Sequence, residues 1–492
     1  MKTNFIKNKY SSNFWDIKWG PDEAKGDDNL KNYFIEIPEY NGIKNGDYRY
    51  IIGRKGTGKT AIIEQLTNEI DGKYNFFHKY LSLKSFPIQT LRGMKDRSLG
   101  DKSQFVPIWT FLILTELCKL IIEDQNAEPT DNLIELSLFI KKNFPSKLGF
   151  HETIKTLESS ENKVSILPKW IGIEDKRGNS KELTTEVHFQ KVNEILIGLI
   201  KQIKSECTFF LFFDELDEGY SAGDKNLNLL LLALFRSTEN IFIELKNFIK
   251  VRPVLALRSD IFDNLEDNDL NKLDDYLVNL RWTTESRSKY SLYDLINARI
   301  NASICVKNPK AAWECISINQ DPSLPKNIKS LWDFIYNRTF ERPRDIIKYM
   351  KICSKFQYRG CVGFQAIRTA EIQYSEWFYK EFRDEIQSHL DVWQEATQAI
   401  IKVGKGVFTL DEIKFELEKD SAIKNYLISN NKSSEDVLEK LFDFGIIGNL
   451  TSLDQWFFKY KDHNLPFNPN HKMLVHFGFT RKFKIKSYYV TN

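Results

Sequence analysis

Apolar and polar positions alternate along this chain in runs that mark out strands and helices. Tyr48 to Ile52 ("YRYII") is β-branched and aromatic, is bounded upstream by "KNGD", and reads as a strand. From Lys59, "KTAIIEQLTNEI" sets Ala61, Ile62, Ile63, Leu66 and Ile70 along one helical face. Phe209 to Phe213 is a continuous apolar run, as expected of a strand covered on both faces, and Pro253 to Leu257 is a third strand. The most apolar helical run, "FVPIWTFLILTELCKLII", is broken by Pro107, Glu116 and Lys119. It falls short of the roughly 20 clean apolar residues that a membrane span requires, so it reads as a buried helix. Residues 364 to 400 carry helical periodicity with mixed charge and predict one long connecting helix. Beyond them, Thr409 caps a short helix. Ser434 caps another, with Val437, Leu438, Leu441 and Phe442 inward and Gly445 as its stop. "IIGNL" and "WFFKY" then form a hairpin around "TSLDQ". Helix, helix, hairpin is the order of a winged-helix domain.

The loop between the first strand and the first helix carries chemistry. Gly53-x4-Gly58-Lys59-Thr60 matches GxxxxGK[ST] in the strand–loop–helix context that the motif needs. Gly53, Gly56 and Gly58 let backbone N–H groups of the loop, Thr57 and Ala61 included, curl around phosphates without Cβ clashes. The helix start adds unpaired donors and the positive end of its dipole. Lys59 is expected to reach the β- and γ-phosphates, and the Thr60 hydroxyl to ligate Mg²⁺. Arg54 and Lys55 occupy variable positions of the motif, and solvent or a neighbouring subunit is their expected destination. A phosphate loop needs a metal-holding carboxylate on a neighbouring strand, and "CTFFLFFDELDEGY" supplies it. Asp214 would orient Mg²⁺ and Glu215 would polarise the attacking water. Asp217 and Glu218 either cap the next helix or meet a partner. Arg258, at the end of the third strand, either helps place the water or belongs to a turn capped by Ser259 or Asp260.

Composition adds bounds. The 492 residues exceed one typical core, and two to four domains are expected. Hydrophobic residues at 42% and charged residues at 28% describe an ordinary globular balance rather than a disordered one. The net charge of +3 leaves a nucleic-acid partner open, because binding needs only a local basic face such as "RKFKIK" from Arg481 to Lys486. Six cysteines without a CxxC pair read as reduced thiols. The opening "MKTNFIKNKYSSNFW" lacks the apolar core of a secretion signal, so a cytoplasmic protein without a membrane segment is expected. His463, His471 and His476 fit no zinc spacing well.

With "GRKGTGKT", "FFLFFDELDE", "LALRSD" and "RPRDIIKYM" in place, the chain resembles AAA+-type P-loop ATPases of the branch shared by origin-recognition and STAND proteins, over roughly residues 30 to 360. The resemblance implies an α/β fold: a P-loop NTPase parallel-sheet core with a large helical insertion, a helical lid and a C-terminal winged-helix-like domain. The implied boundaries are a lead-in over 1–47, a core over 48–265 with the insertion at about 88–190, a lid over 266–360, connecting helices over 361–400, and the winged-helix-like domain over 401–492. In the family an arginine of the lid, in a small-x-Pro-Arg pattern, touches the γ-phosphate. Pro343-Arg344 matches it, with Arg342 two residues earlier as the alternative. The plain structural reading pairs Arg344 with Asp345 or Glu341. Two departures stand out. Lys59 and Asp214 lie 155 positions apart, more than the family usually needs, hence the insertion. Arg281, Arg287 and Arg299 match the family's trans-acting finger by position only.

The implied ligands are ATP and Mg²⁺, and the implied partners are further copies of the chain. Three functions follow: a hydrolysing, oligomerising ATPase; a STAND-like switch that holds ATP and turns over slowly; and a nucleotide-controlled DNA-binding initiator or regulator. Glu215 and Arg258 favour the first. The insertion and the acidic helix bearing Glu435, Asp436, Glu439 and Asp443 favour the second, since phosphate repels acids. The basic tail speaks for the third. The resemblance also points to bacterial genome-conflict, or anti-phage, systems, where the effector would be a separate polypeptide.

Overall fold

The computed structural model describes residues 14–84, 88–96, 98–144, 152–153, 183–265, 267, 270–282, 290–304, 306, 308–318, 321–356, 360–453 and 455–486. The chain divides into two compact units. One, the sheet unit, comprises Pro38–Arg54 and Lys59–Leu280; the other, the helical unit, comprises Met1–Ile37, Lys55–Gly58 and Arg281–Asn492.

The sheet unit is α/β. Its strands are β1 (Tyr50–Ile52), β2 (Phe76–Ser82), β3 (Thr208–Asp214), β4 (Lys250–Leu257) and β5 (Leu277–Asn279), in the order β2-β3-β4-β1-β5. Every neighbouring pair is parallel. Parallel neighbours require crossovers, and helices supply them. Helix α1 (Lys59–Ile70) follows β1. Helices α2 (Val106–Ile121), α3 (Asp131–Asn143) and α4 (Leu183–Ile200) lie between β2 and β3, and α5 (Lys225–Leu245) lies between β3 and β4.

Strand β3 is buried on both faces, which is why its sequence is apolar without alternation. Phe209, Leu211 and Phe213 join the core that includes Trp109 and Leu112 of α2, Leu196 of α4 and Leu231 of α5. Phe210 and Phe212 are equally buried and stack on one another, with ring centroids 5.5 Å apart. Helix α2 is buried from Pro107 to Ile121. The two charges that interrupt its apolar run neutralise each other, Lys119 Nζ lying 2.6 Å from Glu116 Oε1. A charge taken out of water persists only when paired in this way.

In the helical unit, one core joins Phe14, Ile17 and Trp19 to the helices and to a C-terminal sheet. Its main helices are α6 (Leu292–Ser303), α7 (Pro343–Cys353), α8 (Phe364–Ile386) and α9 (Trp393–Val403). Then come β6 (Val407–Phe408), α10 (Leu410–Leu417), α11 (Ser421–Asn430), α12 (Ser434–Asp443), β7 (Ile447–Leu450), β8 (Trp456–Phe457) and β9 (Lys472–Val475). The four strands form an antiparallel sheet in the order β6-β9-β7-β8.

Three local expectations need correction. The single helix predicted over 364–400 is two. The amides of His389 and Leu390 both bond to the Ile386 carbonyl, which tightens the last turn of α8 and sends Leu390 and Val392 into the core. The cap of α12 is Ser433 rather than Ser434. Ser433 Oγ accepts from the Asp436 amide while the Asp436 carboxylate accepts from the Ser433 amide, so the acid three residues on selects the cap. Helix α11 and strands β6 and β9 were not anticipated. Ile423 is the one buried residue recorded for α11, too little for a stripe, and two to four residues of strand carry little pattern. Thr409 does cap α10, in a capping box with Glu412.

The helical unit buries a second charge cluster. Glu371 of α8 is 1% exposed and receives Arg338 Nε at 2.6 Å, Arg481 Nε at 3.2 Å and the guanidinium of Arg368. Burial pushes the Glu371 carboxyl up, but Arg338, Arg368 and Arg481 outweigh it and hold the group below its ordinary range. Glu371→Gln keeps the shape and removes the charge, leaving Arg338 buried without an anion; the expected loss is ~3–5 kcal/mol of unfolding free energy at neutral pH. A carboxyl depressed by folding stabilises above its unfolded pKa and loses that contribution as pH falls. The gap between wild type and variant should therefore close below about pH 4 in denaturant titrations.

Candidate functional site

Parallel topology sets the C-terminal ends of β3, β4 and β1 side by side, with β4 in the middle. Ile52 of β1 pairs with Leu257 of β4, and Phe213 of β3 with Leu255 of β4. The residues that follow are those singled out by their motifs: Gly53 after β1, Arg258 after β4, and Asp214 at the end of β3 with Glu215 next. Gly53 ties two of the ends together, its amide donating to Leu257 O at 3.2 Å and its carbonyl accepting from the Ser259 amide at 3.3 Å.

The phosphate loop runs from Gly53 to Thr60. Gly56 and Gly58 hold φ of +81° and +103°, backbone that residues with a Cβ rarely adopt. Thr57 is buried, and Ala61 is half-buried in the first turn of α1 rather than on its buried face. Lys59 Nζ donates to the carbonyls of Gly53 at 2.8 Å and Arg54 at 3.1 Å. Burial pushes the ammonium down to about 8, against the pull of Asp214, Asp217 and Asp260. A buried cation resting on neutral carbonyls is a fit for an arriving anion.

Asp214 is buried and its two oxygens have separate partners. Oδ2 accepts from Thr60 Oγ1 at 2.7 Å and from the Tyr80 hydroxyl at 3.2 Å; Oδ1 accepts from the Glu215 amide at 2.8 Å. Burial raises its carboxyl, and those three donors together with Lys59 oppose the rise. A hydroxyl and a carboxylate in contact are hard oxygen donors of the kind Mg²⁺ accepts beside phosphate. Glu215 has φ of +57°, left-handed backbone that a glutamate occupies at a cost of order 1–3 kcal/mol and that clusters at functional sites. Its carboxylate accepts from Ser82 Oγ.

Tyr80 and Ser82 escaped sequence reasoning. They belong to no motif, and only the pairing of β2 with β3, which sets Ser82 opposite Asp214, brings them here. Arg258 is buried and held by carboxylates, with Asp260 at 3.0 and 2.6 Å and Asp217 at 3.2 Å. Asp217 is thus a partner of Arg258 and not the cap of α5, a place taken by Asp224.

Within the helical unit, the loop residues Lys55–Gly58 are gripped by two side chains and a backbone amide from far along the sequence. Trp282 Nε1 donates to Thr57 O at 2.8 Å, Arg342 Nη1 to Lys55 O at 2.9 Å, and the Arg344 amide to Gly56 O at 3.3 Å. The two candidate arginines differ in kind. Arg342 is fully buried, bonded twice to Asp345 at 2.9 Å and also to Glu385. Arg344 remains partly exposed beside the loop and pairs with Glu381 at 3.3 Å, not with Asp345 or Glu341. Lys55 corrects an expectation: its ammonium turns to Glu381 and Asp384 of the same unit, at 3.6 and 3.7 Å. Arg299 is buried, bonding Trp19 O and lying 4.0 Å over the Tyr33 ring. Arg281 is exposed, and Arg287 lies outside the described residues. His476 is a core residue that accepts from the Gly478 amide at 3.1 Å, and among the described residues no three His, Cys, Asp or Glu side chains gather as a metal site. Nor is any described helix long and apolar enough to cross a membrane.

The chain is similar to known proteins in three respects. A family model described as the FunZ-associated C-terminal helical domain matches residues 290–383. The putative transposon gamma-delta 80.3 kDa protein of Escherichia coli (strain K12) is 19% identical over 480 residues. That alignment takes in 91% of this chain, which spans 64% of the E. coli protein's length. Among solved structures, that of Cdc6p from Pyrobaculum aerophilum aligns over 93% of both chains at 11% identity, with a TM-score of 0.29.

Replacing Lys59 with Ala removes the buried cation that rests on the loop carbonyls. Its expected effect is a 10- to 100-fold loss of affinity for a fluorescent ATP analogue, about 1.5–3 kcal/mol for a hydrogen bond to a charged group. The thermal unfolding midpoint should stay close to wild type, because the ammonium bonds only loop carbonyls.

Proposed function

We propose that the chain is an ATP-binding and ATP-hydrolysing, AAA+/STAND-like P-loop ATPase that works as a conformational switch or assembly driver. The observation that carries the reading is the 2.7 Å contact between the Thr60 hydroxyl and the Asp214 carboxylate, at the strand edge where the glycine loop and Glu215 also stand. A hydroxyl from the first turn of a loop-borne helix and a carboxylate ending β3, one strand beyond the β4 that adjoins the loop-bearing β1, are the two protein groups that would hold Mg²⁺ against a bound triphosphate.

In this reading the loop amides and Lys59 would bind the phosphates, while Thr60 and Asp214 would hold a Mg²⁺ whose charge would offset that of the phosphates. Glu215 accepts the proton of the attacking water. Ser82, donating to Glu215, keeps the carboxylate aimed, and the left-handed turn at Glu215 carries it past the strand end. Arg258 positions Asp217 and Asp260 around the site, and Arg344 serves the terminal phosphate from its place beside Gly56. Further copies of the chain and a separate effector polypeptide, in a setting of bacterial genome conflict, are the partners implied by the family resemblance.

A nucleotide-controlled DNA regulator is the second reading. The name of the E. coli relative and the element order of the winged-helix-like segment favour it. Against it, Arg481 and Lys482 of the basic tail are already paired, with Glu371 and Glu376.

Glu215→Gln separates hydrolysis from binding. Phosphate release should fall by about 100-fold or more, the scale of a lost general base, while ATP affinity stays within a few-fold. Undetectable turnover by wild type together with ATP-dependent assembly, seen by light scattering, would replace the motor with a slow switch.

A further inference from the structure

Lys55 and Arg344 converge on one carboxylate, Glu381 of α8, and the loop is held to this part of the chain in two different ways. One hold is rigid. Arg342, Asp345 and Glu385 are all buried, and the Arg342 guanidinium fixes the Lys55 carbonyl while spending its other donors on the two carboxylates. Burial opposes the charge on Arg342, but Asp345 and Glu385 outweigh it, so this strut stays ionised. The backbone of Arg344 is equally fixed. Its amide bonds Gly56 O, and a Cβ placed on Gly56 would stand 2.9 Å from the Cβ of Arg344, so nothing larger than glycine fits.

The other hold is loose. The Arg344–Glu381 contact is 3.3 Å, with side chains 20% and 15% exposed. The Lys55–Glu381 contact is 3.6 Å, with Lys55 25% exposed, and Asp384 lies 3.7 Å from the same ammonium. Partly solvated pairs at such distances hold weakly, whereas a phosphate takes a guanidinium by short, charge-assisted bonds. The geometry thus has two cations anchored by backbone beside a phosphate loop, each with its charged end on an exchangeable partner.

We propose that Glu381 is a displaceable counter-ion: it positions Arg344 and Lys55 beside the loop, and a nucleoside triphosphate must take them from it to bind fully. The inference rests on the nucleotide reading above and adds its regulation. Glu381 is a positioning residue that opposes triphosphate binding. Its release on binding transmits occupancy of the loop to α8, which carries both Glu381 and the Arg342 partner Glu385. A diphosphate lacks the terminal group that competes for Arg344 and leaves the contact in place.

The test compares the affinities of fluorescent ATP and ADP, with Mg²⁺, for full-length wild type, Glu381→Gln, Glu381→Asp, Arg344→Gln, the Glu381→Gln/Arg344→Gln double variant and Lys59→Ala. Glu381→Gln should bind ATP about five-fold tighter, roughly 1 kcal/mol, with ADP affinity unchanged. Glu381→Asp, which restores the charge, should return ATP affinity toward wild type, and the gain should vanish in the Arg344→Gln background, where Asp384 still holds Lys55. Equal or weaker ATP binding by Glu381→Gln overturns the proposal, as does a gain that survives Arg344→Gln. Because Lys59→Ala reports on the loop alone, its loss of ATP binding with no effect at Glu381 leaves the nucleotide reading standing and removes only the counter-ion. Absence of ATP binding by wild type removes both.

Discussion

Asp214 ends a strand whose five preceding residues are buried on both faces, and that burial dictates where its carboxylate can stand. Both faces of the strand are close-packed, so a slip of one residue would move every phenylalanine into a space shaped for another side chain. The register of β3 against β2 and β4 is thereby set. From it follow the placement of Asp214 opposite Ser82, the contact with Thr60, and the alignment of the phosphate loop with the end of β4. The chemistry at the strand edge depends on apolar packing behind it.

The helical unit achieves the same precision with charge. Arg342 and Glu371 are fully enclosed, yet neither is left with a single partner: Arg342 has Asp345, Glu385 and a loop carbonyl, and Glu371 has three guanidiniums. Enclosed ion pairs of this sort contribute little net stability compared with well-packed apolar residues, but losing one partner is costly. They specify geometry. The buried Arg342 holds the loop backbone, while Arg344 beside it, 20% exposed, pairs with Glu381.

The candidate site residues stand out in the sequence because each motif is local. Glycines at positive φ, a Lys-Thr helix start, an apolar run ending in Asp-Glu and a Pro-Arg helix start all announce themselves within a few residues. Tyr80 and Ser82 did not, since they sit in an ordinary strand and acquire meaning only from the neighbour that the sheet assigns them. Glu381 and Asp384 look like the solvated face of an amphipathic helix until the loop is seen to lie against them. The break between α8 and α9 was hidden for a related reason: helical periodicity continues on both sides of Leu390, and only the core reveals that the chain turns there to bury it.

By itself, then, the sequence determined an α/β architecture, the glycine-rich loop between its first strand and first helix, the buried nature of α2 and the caps of α10 and α12 to within one residue, because periodicity, motif spacing and side-chain-to-backbone bonds act over short stretches of chain. How each of the two arginines meets the loop, where Lys55 turns and which strands flank Asp214 were decided by tertiary structure. Those are contacts between residues as far as 329 positions apart, as between Lys55 and Asp384, and their energies depend on burial and distance that no local pattern encodes.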